Sequence, residues 1–318
     1  MKDFPFISGL VLMIGAAFLL PEPALHQGWF SLATLSNIGI FCLFFFYGLK
    51  IKREVFLQGL KNYKLHSLIQ LTTFVGFPLL VLPFYPLIQS PMQQTLWLGI
   101  LFLAALPSTL SMSVVMVSMA KGNISAAIFN ASLSGILGIV ITPLIMSVFL
   151  TSYAMAGEFG QIMFRLILVI VLPVCLGLML QNFLKTIPEK YSKPMGFIDK
   201  GVVLLLVYQS FARSLESNVF SQTSFSDLII VTVAMILLLG VVYFTLVAIT
   251  QRMKLNKEDR TTALICGTQK SLIHGSVFAN VLFGQTAGMG LLILPLLIYH
   301  TIQILFFSLI VKRLSAKN

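Results

Sequence analysis

The chain has 318 residues, of which 58% are apolar and 10% are charged, and its formal net charge is +11. An ordinary soluble domain has about 25% charged residues, so this composition excludes a soluble enzyme and a soluble nucleic-acid-binding domain. It also excludes a disordered chain, because disordered segments are poor in apolar residues. The composition is that of a polytopic membrane protein.

The apolar residues form ten runs, each of about the length that a helix needs to cross the roughly 30 Å hydrocarbon core of a bilayer. We number them spans 1 to 10: Phe4–Leu20, Leu32–Leu49, Leu65–Ile88, Thr95–Met119, Ile124–Leu150, Ile162–Asn182, Ile198–Leu215, Leu228–Gln251, Thr261–Phe283 and Ala287–Val311. They leave no room for a soluble domain. No small-residue cleavage site follows span 1, so we expect this span to be retained and not removed as a signal peptide.

The basic residues indicate how the spans are oriented. Of the 21 lysines and arginines, 18 lie near the two ends of the chain or in the loops that follow even-numbered spans. Cytoplasmic loops are enriched in these residues, so we predict an even number of spans with both termini in the cytoplasm. In a bacterium the protein would lie in the inner cell membrane. Arg165 and Arg213 lie near span ends on the opposite side, and Lys270 lies inside span 9.

Spans 1 to 5 and spans 6 to 10 match in order and length. Because five is an odd number, the second set must enter the membrane from the opposite side. Inverted repeats of this kind are typical of secondary transporters. We therefore predict two repeats, residues 1–150 and 160–312, with an accidental division into five and five as the alternative.

Spans 4 and 9 carry polar residues together with a residue that disturbs a helix, Pro107 in span 4 and Gly267 in span 9. Proline lacks the backbone donor and clashes with the preceding turn. Broken helices in corresponding positions of two repeats indicate a transport site, because their free ends attract anions and cations. The candidate substrate- or ion-binding residues are Gln70, Ser108, Thr109, Ser111, Ser113, Asn130, Thr268, Gln269, Lys270, Ser271 and His274.

Some of these residues have an alternative interpretation. Gln70 and Asn130 could simply bond neighbouring helices, and His274 could be a packing residue, as we predict for His300. Lys270 is the one charge that we place well inside a span, where burial costs about 2.5–3.5 kcal/mol on insertion scales. It must contact backbone carbonyls, a water-filled cavity or an anionic substrate, or else lose its proton. The alternative is a lysine that reaches the interface from a span whose register we have misplaced.

Three stretches of the sequence resemble the bile acid:sodium symporter family. They are Phe44-Phe45-Phe46-Tyr47-Gly48-Leu49 before a basic loop, Ala120-Lys121-Gly122-Asn123 after span 4, and Gly267-Thr268-Gln269-Lys270-Ser271 in span 9. The chain is most similar to the SBF-like branch, which contains the seventh member of vertebrate solute carrier family 10 and its bacterial and fungal relatives. The resemblance covers essentially all ten spans.

This resemblance implies an all-α polytopic membrane protein with ten transmembrane helices in two inverted five-helix repeats. Spans 1, 2, 6 and 7 would form a panel domain, and spans 3–5 and 8–10 a core domain in which the broken spans 4 and 9 cross. Movement of the core against the panel would transport a substrate bound in the cleft between them.

The chain differs from sodium-coupled members of that family at the ion ligands. Those members have a glutamate just before the glycine of the span-9 stretch, an asparagine after its glutamine, a serine-asparagine pair in span 4 and two hydroxyl ligands in span 5. The corresponding residues here are Ile265-Cys266, Lys270, Ser113-Val114, Ala127 and Ala131. Only Ser113 and Gln269 remain of the pattern, so the sodium site is degenerate. A hard cation prefers oxygen ligands, and a fixed ammonium would repel it.

The sequence therefore predicts a secondary-active transporter that moves a small solute, expected to be anionic, across a lipid bilayer. We expect no nucleic-acid partner and no cofactor beyond a coupling ion, either sodium or a proton. Lys270 could replace sodium as a permanent charge or titrate during proton coupling. One alternative is a membrane regulator of calcium homeostasis, a role linked to some relatives of this branch. Another is an intramembrane enzyme that pairs Ser134 with His274, although the sequence has no nucleophile elbow or metal-ligand spacing.

Overall fold

The computed structural model describes residues 4–26, 31–50, 62–88, 90–150, 159–184, 190–217, 224–283 and 288–316, and helices account for most of these residues. The first seven helices are α1 (Phe4–Leu19), α2 (Glu22–Leu25), α3 (Leu32–Lys50), α4 (Tyr63–Leu87), α5 (Pro91–Ala105), α6 (Leu110–Met119) and α7 (Ile124–Leu150). Helix α8 has three consecutive parts, Phe159–Leu166, Ile167–Val171 and Leu172–Leu184. The remaining helices are α9 (Ser192–Glu216), α10 (Phe225–Arg252), α11 (Lys257–Thr268), α12 (Leu272–Phe283) and α13 (Met289–Ala316). The described ranges contain no strand.

Seven of the described helices contain a segment long and apolar enough to cross a membrane. These segments are Leu32–Lys50, Tyr63–Leu87, Ile124–Phe149, Phe164–Leu184, Pro194–Glu216, Phe225–Arg252 and Met289–Val311. Many large apolar side chains on them point outward, such as Phe183, which is 82% exposed. Lipid is a suitable environment for such side chains, whereas water is not. The protein is therefore an all-helical integral membrane protein, which confirms the class predicted from composition.

The chain divides into two compact units. The first unit contains Met1–Lys52, Ser147–Gln222 and Gly275–Ile293, and the second contains Arg53–Met146, Thr223–His274 and Leu294–Asn318. Helices α7, α12 and α13 contribute residues to both units. The sequence-based division into residues 1–150 and 160–312, and the grouping of spans into panel and core, stay predictions.

Within the first unit, α3 and α8 pack closely at two glycines. A Cβ atom added to Gly48 would collide with the main-chain carbonyl of Val174, and one added to Gly177 would collide with the carbonyl of Phe45. Small residues at a helix contact allow two main chains to approach each other, as is common in membranes. A larger side chain at either glycine would force α3 and α8 apart.

Helix α4, in the second unit, is interrupted by a π-helical turn at Thr72–Gly76. At the end of this turn the Phe77 N–H donates to the carbonyl of Thr72. A π-helical donor for the next carbonyl, that of Thr73, would have to come from residue 78, which is a proline and has no N–H. The Thr73 carbonyl is therefore available to a side chain from elsewhere in the second unit.

The helices of spans 4 and 9 are both interrupted. Helix α5 ends at Ala105 and α6 begins at Leu110, and Pro107 accounts for this interruption because it cannot continue the hydrogen-bond ladder. Helix α11 ends at Thr268, and Gln269 has extended backbone with ψ 141. Gly267 lies inside α11 and not in the interruption, which corrects its assignment as the breaking residue. Its missing side chain makes room for Leu246, whose Cδ1 would lie 2.9 Å from an added Cβ.

Candidate functional site

The two helix interruptions lie together in the second unit and bond to each other. The Ser271 amide donates to the carbonyl of Pro107 at 2.9 Å. The Ser108 hydroxyl donates to the carbonyl of Cys266 at 2.8 Å. Both bonds use main-chain carbonyls near the break, and one of the two donors is also a main-chain group. Ser108 and Ser271, two of the polar residues predicted in spans 4 and 9, therefore join the two interruptions.

The side chain of Lys270 lies in this region and contacts main-chain oxygens. Its Nζ donates to the carbonyls of Thr73 at 2.8 Å, Ala104 at 2.7 Å and Leu106 at 2.9 Å. It also lies 4.1 Å from the centroid of the Phe77 ring, within the range of a cation–π interaction. The side chain is completely buried. The sequence left three possible partners for Lys270: backbone carbonyls, a water-filled cavity or an anionic substrate. The structure shows backbone carbonyls.

The carbonyls that bind Lys270 are free because the helices containing them are irregular. Ala104 and Leu106 lie at the C-terminal end of α5, where the last carbonyls have no donor within the helix. The amide that would normally bond the Ala104 carbonyl belongs to Ser108, which instead donates to the Ser134 hydroxyl at 2.9 Å. A positive charge at this end of a helix also interacts favourably with the negative end of the helix dipole. The Lys270 side chain therefore caps the C-terminal end of α5.

Gln303, in α13, holds the main chain of Lys270 in place. Its Oε1 accepts the Lys270 N–H at 2.9 Å, and its Nε2 donates to the Lys270 carbonyl at 3.0 Å. Gln303 is fully buried, and its Nε2 also contacts Nδ1 of His300 at 2.8 Å. The sequence analysis missed Gln303. A glutamine in the middle of an apolar span was the signal that could have identified it, since buried polar side chains normally have a specific partner.

The two residues left from the sodium-ligand pattern bond to each other. The Ser113 hydroxyl donates to Oε1 of Gln269 at 2.7 Å, and both side chains are buried. Each of these oxygens is therefore already engaged in a protein hydrogen bond. The hydroxyls expected in span 5 are replaced by the buried Ala127 and Ala131. Of these four positions, only Ser113 and Gln269 carry a side-chain oxygen.

Three other predicted residues shape the ends of the half-helices. The Thr268 hydroxyl donates to the carbonyl of Leu264 at 2.6 Å, and the Thr268 carbonyl accepts the Tyr299 hydroxyl at 2.7 Å. Ser271 caps α12, because its hydroxyl oxygen accepts the His274 amide at 3.2 Å. The same oxygen lies 2.9 Å from Nδ1 of His274. His274 therefore belongs to the cap of α12, while Lys270 lies in the non-helical segment before it.

Gln70 and Asn130 bond to each other and link α4 to α7. Gln70 Nε2 donates to the main-chain oxygen of Asn130 at 3.0 Å and to its Oδ1 at 3.2 Å. Asn130 Nδ2 lies 2.7 Å from Nδ1 of His66, a residue that the sequence analysis did not select. These contacts agree with the alternative interpretation of Gln70 and Asn130 as residues that bond helices together.

The last two candidates lie at the beginning of α6. Thr109 is buried and precedes the helix with extended backbone, and its side chain makes no capping hydrogen bond to the helix. Ser111 lies in the first turn of α6, but its side chain is outside the described part of the structure.

A further polar cluster, also missed by the sequence analysis, surrounds Asp259 at the start of α11. Asp259 is 7% exposed, and its carboxylate accepts hydrogen bonds from three asparagine side chains, Asn62 at 2.8 Å, Asn123 at 2.8 Å and Asn256 at 3.2 Å. Asn123 belongs to one of the stretches that carry the family resemblance. The cluster links the segment before α4 and the α6–α7 connection to the first turn of α11.

These observations define an integral membrane protein in which two interrupted helices bond to each other beside a buried lysine. Its family can also be stated: the chain belongs to the SBF-like CPA transporter family, whose sequence model matches residues 5–316. This confirms the resemblance seen in the sequence.

Several curated proteins are similar to the chain over most of their length. An uncharacterized protein of Pseudomonas aeruginosa is 32% identical over 284 residues, which cover 89% of this chain and 85% of the relative. Sodium/bile acid cotransporter 7-A of Xenopus laevis is 30% identical over 314 residues, covering 98% and 91%. Sodium/bile acid cotransporter 7 of Rattus norvegicus is 30% identical over 314 residues, covering 98% and 92%.

Proposed function

We propose that the protein is a secondary-active transporter with two inverted five-helix repeats, and that it moves a small organic solute, expected to be anionic, by alternating access. Family membership and the names of the cotransporter relatives support transport. Ten spans are supported by the seven long apolar segments, by the shorter apolar helix Pro5–Leu19 and by the two interrupted helix pairs α5–α6 and α11–α12. On this proposal both termini face the cytoplasm, and a bacterial protein would lie in the inner membrane.

We further propose that the ammonium of Lys270 takes the place of a coupling sodium ion. The observation that carries this proposal is the cap that Lys270 forms on the C-terminal carbonyls of α5. The free C-terminal end of a broken helix is where a cation would be favoured. A lysine ammonium has three N–H donors, and here it has three carbonyl acceptors. This match favours the permanent-charge version over the titrating version.

The absence of a sodium response is the first expected result. Thermal unfolding in detergent should give the same midpoint when potassium is exchanged for sodium at fixed ionic strength. A sodium ion that binds only the folded protein would stabilise it by about 2.7 kcal/mol at one hundred times its dissociation constant. A sodium-specific rise of that kind would contradict the proposal and favour sodium symport through ligands other than those identified above.

Uptake by proteoliposomes tests transport itself. We expect saturable, protein-dependent uptake of at least one compound from a panel of labelled carboxylates, organic phosphates and sulfate conjugates, with no effect of an imposed sodium gradient. Liposomes without protein are the control. Uptake of none of these anions, together with uptake of a cationic or neutral solute, would contradict the predicted substrate class.

If Lys270 titrates, Lys270→Gln should remove the pH dependence of uptake, whereas a folded, active variant with the original pH profile would exclude proton coupling through this residue.

A further inference from the structure

The first unit contains a polar cavity of about 130 Å³ near the beginnings of α3 and α8 and the end of α9. The polar side chains that line it are Ser36, Asn37, Arg165, Gln209, Arg213 and Asn280. Its volume is far above the roughly 10–15 Å³ that a single water molecule needs. Among the described residues that line the cavity none is acidic, so its lining is positively charged.

The charge pattern of the sequence makes this cavity unusual. Arg165 and Arg213 are the two basic residues that lie on the side opposite the basic loops, where the positive-inside rule disfavours lysine and arginine. The structure places both at the same cavity. Each carries a permanently charged, planar guanidinium whose forked donors match the oxygens of a carboxylate or a phosphate. Two such groups at one cavity form an environment suited to an oxyanion.

The side chain of Gln209 provides an independent observation. It is 3% exposed, and its Oε1 accepts a hydrogen bond from the Ser36 hydroxyl at 3.3 Å. Its Nε2 is buried and has no hydrogen-bond partner. Leaving a buried donor unsatisfied costs about 1–3 kcal/mol. Because Ser36 occupies the oxygen end of the amide, the nitrogen end is available to an acceptor in the cavity.

We propose that this cavity binds an oxyanion, either the carboxylate, sulfate or phosphate group of a small solute or the phosphate of a lipid headgroup. Arg165 and Arg213 provide the charge and the forked donors, and Gln209 Nε2 provides a buried neutral donor. The site does not depend on the transport function proposed above. It involves none of the residues around Lys270, and it can be tested by binding alone.

The test is thermal unfolding of the full-length protein in a non-ionic detergent, with inorganic phosphate or sulfate titrated against chloride at constant ionic strength. We expect a saturable rise in the unfolding midpoint of the wild-type protein. Arg165→Gln, Arg213→Gln and Gln209→Leu should each weaken the response, the arginine variants by about tenfold or more in apparent Kd. Arg252→Gln removes the same charge from an exposed residue of the second unit, and its response should equal that of the wild type.

A second set of titrations distinguishes the two sources of the oxyanion. The same variants are compared in nanodiscs of phosphatidylcholine alone and of phosphatidylcholine with phosphatidylglycerol. If inorganic phosphate raises the unfolding midpoint in phosphatidylcholine nanodiscs, and the rise depends on the arginines, the ligand is a soluble anion. If an arginine-dependent rise requires phosphatidylglycerol in the nanodisc, the ligand is a lipid headgroup. Either result supports the site.

The proposal is overturned if the wild-type protein responds to neither phosphate source, or if Arg165→Gln responds as the wild type does. Arg165 is exposed, so this variant should fold even if Arg213→Gln does not. Arg213→Lys retains the positive charge but lacks the paired N–H donors of the guanidinium, so it should give an intermediate response. Because the readout is binding, a negative uptake result in proteoliposomes would leave it unaffected.

Discussion

Lys270→Ala is expected to abolish uptake and to lower the free energy of unfolding by about 3–5 kcal/mol. The substitution removes the single group that bonds the carbonyls of Thr73, Ala104 and Leu106 through its Nζ. These acceptors belong to the main chain, so no second substitution can remove them. They would be left facing a cavity with their hydrogen bonds unmade. Chemical denaturation in detergent and uptake by proteoliposomes measure the two effects.

A chemical rescue experiment separates the role of the charge from that of packing. The cavity left by Lys270→Ala is bordered by carbonyl oxygens, so added ethylammonium or a high sodium concentration should restore part of the lost stability. Lys270→Met is the matched control, because it fills the space with an apolar chain that cannot donate. We expect it to be destabilised and not to be rescued. A Lys270→Met protein as stable and as active as the wild type would contradict the proposed role of the ammonium.

Asp259→Ala is expected to lower the free energy of unfolding by about 2–4 kcal/mol, because hydrogen bonds to a charged, buried acceptor are stronger than neutral ones. The substitution removes the shared acceptor of the Asn62, Asn123 and Asn256 amides. It also removes a negative charge from the first turn of α11, where the helix dipole favours it. The change can be measured by thermal unfolding in detergent.

Glu258→Ala provides a matched control for Asp259. Glu258 is the neighbouring acidic residue in the same first turn of α11, but it is exposed. Its removal therefore changes the interaction with the helix dipole by a similar amount without touching the asparagine cluster. We expect a loss of no more than about 1 kcal/mol. Equal losses for the two variants would show that the three asparagine contacts contribute nothing to stability.

The sequence by itself was enough to establish the class of protein, the family and the interruption in span 4. Long apolar runs with few charges can fold only as helices in a bilayer, whatever their detailed packing. Pro107 interrupts a helix in any environment, because the missing N–H is a property of the residue. The interruption in span 9 was predicted one or two residues too early, since Gly267 tolerates a helix and only the tertiary structure places the break at Gln269.

Only the tertiary structure decided what surrounds Lys270. The carbonyls that it bonds come from α4 and α5, far away in the sequence, and every residue type carries a carbonyl, so no sequence pattern marks them. The same reason explains why Gln303 was missed, since its partner is the main chain of Lys270. Charge patterning predicts that Arg165 and Arg213 lie on the same side of the membrane. Their shared cavity depends on how α8 and α9 pack in the first unit, and packing is a property of the folded chain.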